Sequence, residues 1–110
     1  MITDNSPGNL PATLVRQYVG RLLDISSVGC LIEIAAPLGP GAVGRLEAVI
    51  DSIVYVEAVR VARIVQSHDS IAPSQVGLEF LFVTPVTPQS IRAVIARLAA
   101  GADASIRFVH

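Results

Sequence analysis

The chain of 110 residues has little of the chemistry that enzymes and metal sites need. It contains one cysteine and two histidines, which excludes an intrachain disulfide and leaves no cysteine and histidine cluster with zinc spacing. His68 is followed directly by Asp69, and adjacent residues rarely face each other as a catalytic pair. We therefore expect no catalytic residues, no enzymatic activity and no metal or cofactor.

Basic charge is also scarce. All eight basic residues are arginine, and nine acidic residues give a net charge of −1. Without a basic stripe, the sequence does not predict binding to a nucleic-acid duplex. The absence of lysine and the presence of proline argue that the glycine-rich segment 39–44 is a turn rather than a phosphate-binding loop.

Long apolar runs are missing. The longest uncharged runs, 34–44 and 80–91, are short and broken by proline and glycine, whereas a membrane helix needs about 20 apolar residues. The first nine residues are polar and rich in turn formers, unlike a signal peptide. Cys30, alone in an apolar strand, fits a reducing compartment. We expect a cytoplasmic protein with no membrane span.

The chain is nevertheless rich in apolar residues. They make up 52% of it, against 15% charged residues, whereas a typical domain has about 25% charged residues. So few charges cannot cover the whole exterior of a small domain. The composition therefore predicts a protein partner or a homo-oligomer that covers exposed apolar side chains.

Alternating apolar residues and turn clusters predict strands over about 14–25, 30–35, 45–50, 53–65 and 76–82. A tight turn is expected at Asp51-Ser52. The alternation in the fourth of these strands loses phase near Glu57-Ala58, which suggests a bulge or bend there. Residues 102–110 are predicted to be a tail, with 106–109 as a possible extra strand.

A helix is predicted over 88–100. Thr87 can cap it, Pro88 suits its first position, and Gly101 ends it. Its apolar face consists of Ile91, Val94, Ile95 and Leu98. That face either covers a barrel mouth or sheet edge, or mediates helix-to-helix dimerisation. The predicted fold is all-β with one C-terminal helix: a small six- or seven-stranded antiparallel barrel over 13–101, after a flexible lead over 1–12.

One segment places a carboxylate, a hydroxyl and a glycine at fixed offsets. In Asp24-Ile25-Ser26-Ser27-Val28-Gly29, the Asp and Ser side chains can accept hydrogen bonds from backbone N–H groups or contact a ligand. Gly29 permits positive φ and close approach of another group. From spacing alone, the segment is a tight turn between two strands.

The wider context resembles the bacterial PilZ domain family. The segment 20–32 is similar to that family's D/N-x-S-x-x-G region, 59–65 to its late barrel strand, and Val76-Gly77-Leu78-Glu79-Phe80 to its closing strand, and a C-terminal helix follows. The resemblance implies a small barrel that binds cyclic di-GMP, with Asp24, Ser26 and Gly29 in the ligand loop, and passes the signal to a partner.

The family's upstream R-x-x-x-R motif, which grips the nucleotide, is missing here. The nearby arginines, Arg16 and Arg21, are five residues apart, whereas the motif places them four apart. Three functions remain open. The first is a PilZ-like, non-enzymatic signalling adaptor whose direct nucleotide binding is weak or lost. The second is a receptor that uses the ligand loop with Arg16 and Arg21, and the third is an unrelated β-barrel oligomerisation module.

Overall fold

A computed structural model describes residues 15–66 and 73–110, so the predicted lead over 1–12 lies outside the described residues. Six strands pair antiparallel into a closed barrel in the order β1-β2-β5-β4-β3-β6, which confirms the predicted fold class. The strands are β1 (Gln17–Ile25), β2 (Gly29–Ile34), β3 (Val43–Ile50), β4 (Ile53–Val65), β5 (Ser74–Phe80) and β6 (Ser105–Val109).

The core follows from the alternation of each strand. In β2, Cys30, Ile32 and Ile34 are buried, while Leu31 and Glu33 lie on the other face and stay partly exposed, as predicted. Because side chains alternate between faces, every strand of the barrel sends one set of residues inward. The largest fully buried side chains are Phe108, Ile32, Ile34, Leu46, Ile91, Ile106, Val59, Val61 and Val76.

The turn at Asp51-Ser52 is confirmed. It joins β3 to β4, and its two residues have φ of 51° and 67°. Positive φ at both central positions is the geometry that matches the right-handed twist of a two-residue hairpin.

The bulge expected near Glu57-Ala58 lies elsewhere. The register of β4 against β5 shifts between Val61 and Arg63, while Glu57 stays in phase with the core-facing residues. Glu57 places a carboxylate where the apolar alternation continues, and this imitates a loss of phase in the sequence. Glu57 is in fact buried, because Arg92 pairs with it at 2.9 Å.

The C-terminal helix is shorter than predicted. It consists of a 3-10 turn, Ile91–Val94, continued by α1, Ile95–Ala99. The predicted start is wrong because Thr87 accepts the N–H of Ser90 at its carbonyl and so closes a separate turn before the helix. Gly101, with φ of 90°, follows the end of the helix as predicted.

The apolar face of this helix packs against the barrel. Ile91, Val94 and Leu98 are buried and belong to the same core as the strands. The chain itself therefore buries these side chains. Of the two predicted roles, the helix covers the barrel, and these residues are not available for dimerisation through that face. Among the described residues, no helix has the length and apolar content needed to cross a membrane.

The segment 102–110, for which a tail or an extra strand was expected, contains β6. This strand lies between β1 and β3 and closes the barrel. Ile106 and Phe108 point into the core and are almost completely buried. Closure removes the free edges that β1 and β3 would otherwise present.

Candidate functional site

The segment Asp24–Gly29 forms the turn between β1 and β2. Asp24 Oδ1 accepts the N–H of Ile25 at 2.9 Å. Ser26 Oγ donates to the carbonyl of Gly29 and accepts the N–H of Val28, both at 3.3 Å. The two polar side chains thus hold the turn, as the simple turn interpretation predicts.

Gly29 is required by close packing and not by its backbone angle. The glycines with positive φ in the described residues are Gly41 and Gly101. A Cβ built on Gly29 would lie 2.1 Å from the carbonyl oxygen of Leu78 in β5. Two roles were possible for Gly29, a positive φ and the close approach of another group. The structure shows the second, the close approach of β5.

A depression of about 330 Å³ opens on the outer barrel wall beside this turn. Its centre is one row of residues across four strands: Asp24 pairs with Leu31, Leu31 with Gly77, and Gly77 with Arg63. Because Gly77 has no side chain, the barrel surface is recessed between the side chains of Leu31 and Arg63. The carboxylate and the guanidinium therefore stand on opposite sides of a shallow basin.

Two irregularities of the barrel flank this row. The register of β1 shifts between Leu22 and Asp24, and that of β4 between Val61 and Arg63. An extra residue in a strand bends it and redirects the next side chain, and such bulges are common beside binding sites. The two shifts come directly before Asp24 and Arg63, the two charged residues of the row.

The structure brings Asp24, Ser26 and Gly29 together but leaves Arg16 far from them. Arg16 exchanges backbone hydrogen bonds with His110 at the opposite end of β1. Eight residues of extended chain separate it from Asp24, a distance of about 26 Å. Arg21 is nearer, on the same outer face, and its guanidinium pairs with Glu33 at 3.1 Å.

Arg63 is the residue of the basin that sequence reasoning missed. It lies 39 positions after Asp24, and only the strand order places the two in one row. The sequence held a signal: Arg60 and Arg63 are both arginines, expected on the outer face of one strand, although they are three residues apart. Both are exposed in the structure. An odd spacing between two outward residues requires one extra residue in the strand.

The charges around the basin are nearly balanced. Arg60 forms an ion pair with Glu79, whereas Arg63 has no ion-pair partner among the described residues. Burial raises the pKa of the Cys30 thiol to about 12, so this thiol at the basin is neutral and unsuited to be a nucleophile. The described residues hold no group of three potential metal ligands.

Comparison with known proteins connects this geometry to a family. The model of the PilZ domain matches residues 6–97, which is most of the chain. Searches of curated proteins and of solved structures returned no match. The basin, the Asp-x-Ser-x-x-Gly turn and strands β1 to β5 lie within the matched region, whereas β6 follows it. The chain belongs to the PilZ domain family of cyclic di-GMP-binding and adaptor domains in bacterial signalling.

Proposed function

We propose that this PilZ domain is a non-enzymatic signalling adaptor with weak or no direct affinity for cyclic di-GMP. The observation that carries the proposal is the position of its arginines. Arg16 lies about 26 Å of extended chain from Asp24. Arg21 does not line the basin, and its guanidinium pairs with Glu33. Among the described residues, Arg63 is the one arginine that lines the basin, so no pair of arginines is placed there to hold two phosphates.

Residues 1–15 do not supply the missing pair, because they contain no arginine and no lysine. A charge-assisted contact to a phosphate contributes on the order of 1.5–3 kcal/mol. Loss of two such contacts lowers affinity by roughly two to four orders of magnitude. Adaptor function then depends on contacts with another protein, and the apolar composition of the chain supplies side chains that can make such contacts.

Calorimetric titration with cyclic di-GMP tests the proposal directly. We expect no saturable heat with wild-type protein at micromolar concentration. The variant Gln17→Arg restores the spacing of the family motif with Arg21, yet we expect no gain. Position 17 lies seven residues before Asp24 along β1, or about 23 Å away. Micromolar binding by the wild type would contradict the proposal. Binding that appears only in Gln17→Arg would contradict the argument from distance, because it would show that residue 17 reaches the ligand.

One observation favours a second function. In it, the domain is a cyclic di-GMP receptor that uses an arginine at a different position from those of the family motif. Arg63 faces Asp24 across the basin and has no ion-pair partner in residues 15–66 and 73–110. In that case the titration shows binding, and Arg63→Gln weakens it at least about tenfold, the effect of one charge-assisted contact. Arg16→Gln is the matched control, because Arg16 is exposed and lies at the far end of β1.

A further inference from the structure

The segment 81–89, which we call the strap, crosses the outside of β4. Strand β5 stops before it, so in the described part of the chain the first half of β4 has no strand beside it on that side. Two backbone hydrogen bonds tie the strap to this edge. The N–H of Leu81 donates to the carbonyl of Ala58 at 3.1 Å, and the N–H of Val56 donates to the carbonyl of Gln89 at 2.8 Å. Because the two anchors on β4 are two residues apart, the ends of the strap lie close together, as in an Ω-loop.

Further contacts fix the arch of the strap. Arg92 Nη2 donates to the carbonyl of Thr84 at 2.6 Å. Ser90 Oγ accepts the N–H of Thr87 at 2.9 Å. Two prolines within the strap restrict its backbone angles. The space beneath the arch is therefore formed by the chain itself and does not depend on a bound molecule.

A cavity of about 390 Å³ lies between the strap and the outer wall of the barrel. Val56 and Ala58 of β4 form its floor, and Pro85 lines the side of the strap. Arg45 of β3, which pairs with Ala58, stands on the opposite side. The volume is within the range of small-molecule sites, about 300–1,000 Å³. None of the residues that line this cavity lines the basin.

The buried polar side chains of the cavity are already paired. Glu57 accepts the backbone N–H of Arg92 at one carboxylate oxygen and its Nε at the other. Ser90 Oγ accepts the N–H of Thr87 and lies 3.4 Å from the Thr87 hydroxyl. A ligand with many polar groups would lose its hydration here without finding partners. The cavity therefore favours an occupant whose body is apolar.

Arg45 brings an accessible positive charge to the edge of the cavity. Its side chain is 53% exposed, and its Nε and Nη2 both lie 2.9 Å from one oxygen of Glu47. Nη1 has no hydrogen bond to any described residue. The other oxygen of Glu47 pairs with Arg107, so two guanidinium groups share one carboxylate. The excess charge is positive, which favours an anionic group at this edge.

We propose that the cavity binds a small amphiphilic carboxylate, an acid with a medium-length acyl chain. The chain lies against Val56, Ala58 and Pro85, and the carboxylate binds Nη1 of Arg45. Burial of the chain removes apolar surface from water, and a hydrogen bond between two charged groups is among the stronger ones. The site is separate from the basin, so this inference does not depend on whether the domain binds cyclic di-GMP.

Amide NMR of the full chain during titration with octanoate tests the site. We expect saturable shifts with a dissociation constant below about 1 mM. The shifts should be largest at residues 56–58 and 84–90 and absent at 24–29. The probe 1-octanol has the same chain length without the carboxylate, and it should bind at least about tenfold more weakly.

Substitution of Arg45 tests the charged contact. Arg45→Gln should weaken octanoate binding at least about tenfold and leave 1-octanol binding unchanged, because it removes the charge and keeps the apolar floor. Arg97→Gln is the matched control. The Arg97 side chain is 48% exposed and forms an ion pair with Asp51, but it does not line the cavity.

Substitution of Ala58 tests the apolar floor. Ala58→Leu fills the space beneath the strap and should abolish binding of both probes. Ala62→Leu makes the same change at an exposed position of the same strand, outside the cavity, and should leave both unchanged. Thermal unfolding of each variant shows whether the fold is intact. If Ala58→Leu does not fold, Arg45→Gln and the comparison of the two probes still decide the question.

Several outcomes would overturn the proposal. Shifts that do not saturate at millimolar octanoate would do so, as would shifts that centre on the basin. Equal affinity of the wild-type chain for octanoate and 1-octanol would remove the role given to Arg45. Equal weakening by Arg45→Gln and Arg97→Gln would show a general effect of charge and no carboxylate site at the strap.

Discussion

The contrast between two glycines of paired strands gives the sharpest stability prediction. Gly29 in β2 and Gly77 in β5 both lie in strands and both face the basin. A Cβ at Gly29 would lie 2.1 Å from the carbonyl oxygen of Leu78 and 3.2 Å from the Cα of Glu79. Both are backbone atoms of β5, which pairs with β2 and β4 and cannot move aside without disturbing that pairing.

Gly77 has no such constraint. A Cβ there would meet its nearest neighbour, the Cβ of Arg63, at 3.7 Å, an ordinary contact. We expect Gly29→Ala to lower the free energy of unfolding by about 2–3 kcal/mol, the upper range for overpacking. Gly77→Ala should raise it by roughly 0.5–1 kcal/mol, because alanine restricts the unfolded chain more than glycine does.

Urea denaturation monitored by circular dichroism measures both changes. For a domain of this size, the loss at Gly29 corresponds to a melting temperature lower by roughly 10–20 °C. If Gly29→Ala were as stable as the wild type, or if both variants lost equal stability, the close-packing argument would be refuted. The result also bears on ligand studies, since a loss of binding in Gly29→Ala would reflect the barrel and not a missing contact.

Three further predictions concern the core, the thiol and a turn. Glu57→Ala leaves Arg92 largely buried without its partner and should cost about 3–5 kcal/mol in urea denaturation, whereas Arg21→Ala at an exposed pair should cost less than about 1 kcal/mol. Burial raises the pKa of Cys30 to about 12, so its reaction with a thiol reagent at pH 8 should be slow in native protein and fast in denaturant; rapid native labelling would contradict this. Ser52→Gly should stabilise the chain by about 1 kcal/mol, since φ of 67° favours glycine, and an unchanged urea midpoint would contradict it.

Much of the fold could be predicted because its signals are local. The period-two alternation of Cys30, Ile32 and Ile34 identified a core-facing strand, and the structure buries all three. Two consecutive polar residues at Asp51-Ser52 marked a hairpin turn that needs no distant contact. Alternation and turn chemistry depend on neighbours in the chain, so they can be read without knowing which strands meet.

Polar and charged residues were harder to interpret than apolar ones. Glu57 interrupts an apolar pattern, and its position inside the barrel depends on Arg92, which lies 35 residues later. Thr87 has the chemistry of a helix cap, but Ser90 uses it to close a turn. In both cases a partner decided the outcome, and a local pattern does not identify the partner.

The sequence by itself determined the strand-rich fold class, the turn at Asp24–Gly29 and the absence of the R-x-x-x-R motif before that turn. Only the tertiary structure decided that β6 closes the barrel, that Arg16 stands at the far end of β1, and that Arg63 faces Asp24. The physical reason is that a strand specifies which of its side chains share a face, but not which strand becomes its neighbour. Strand order is set by the closure of the whole barrel, and the basin is a product of that order.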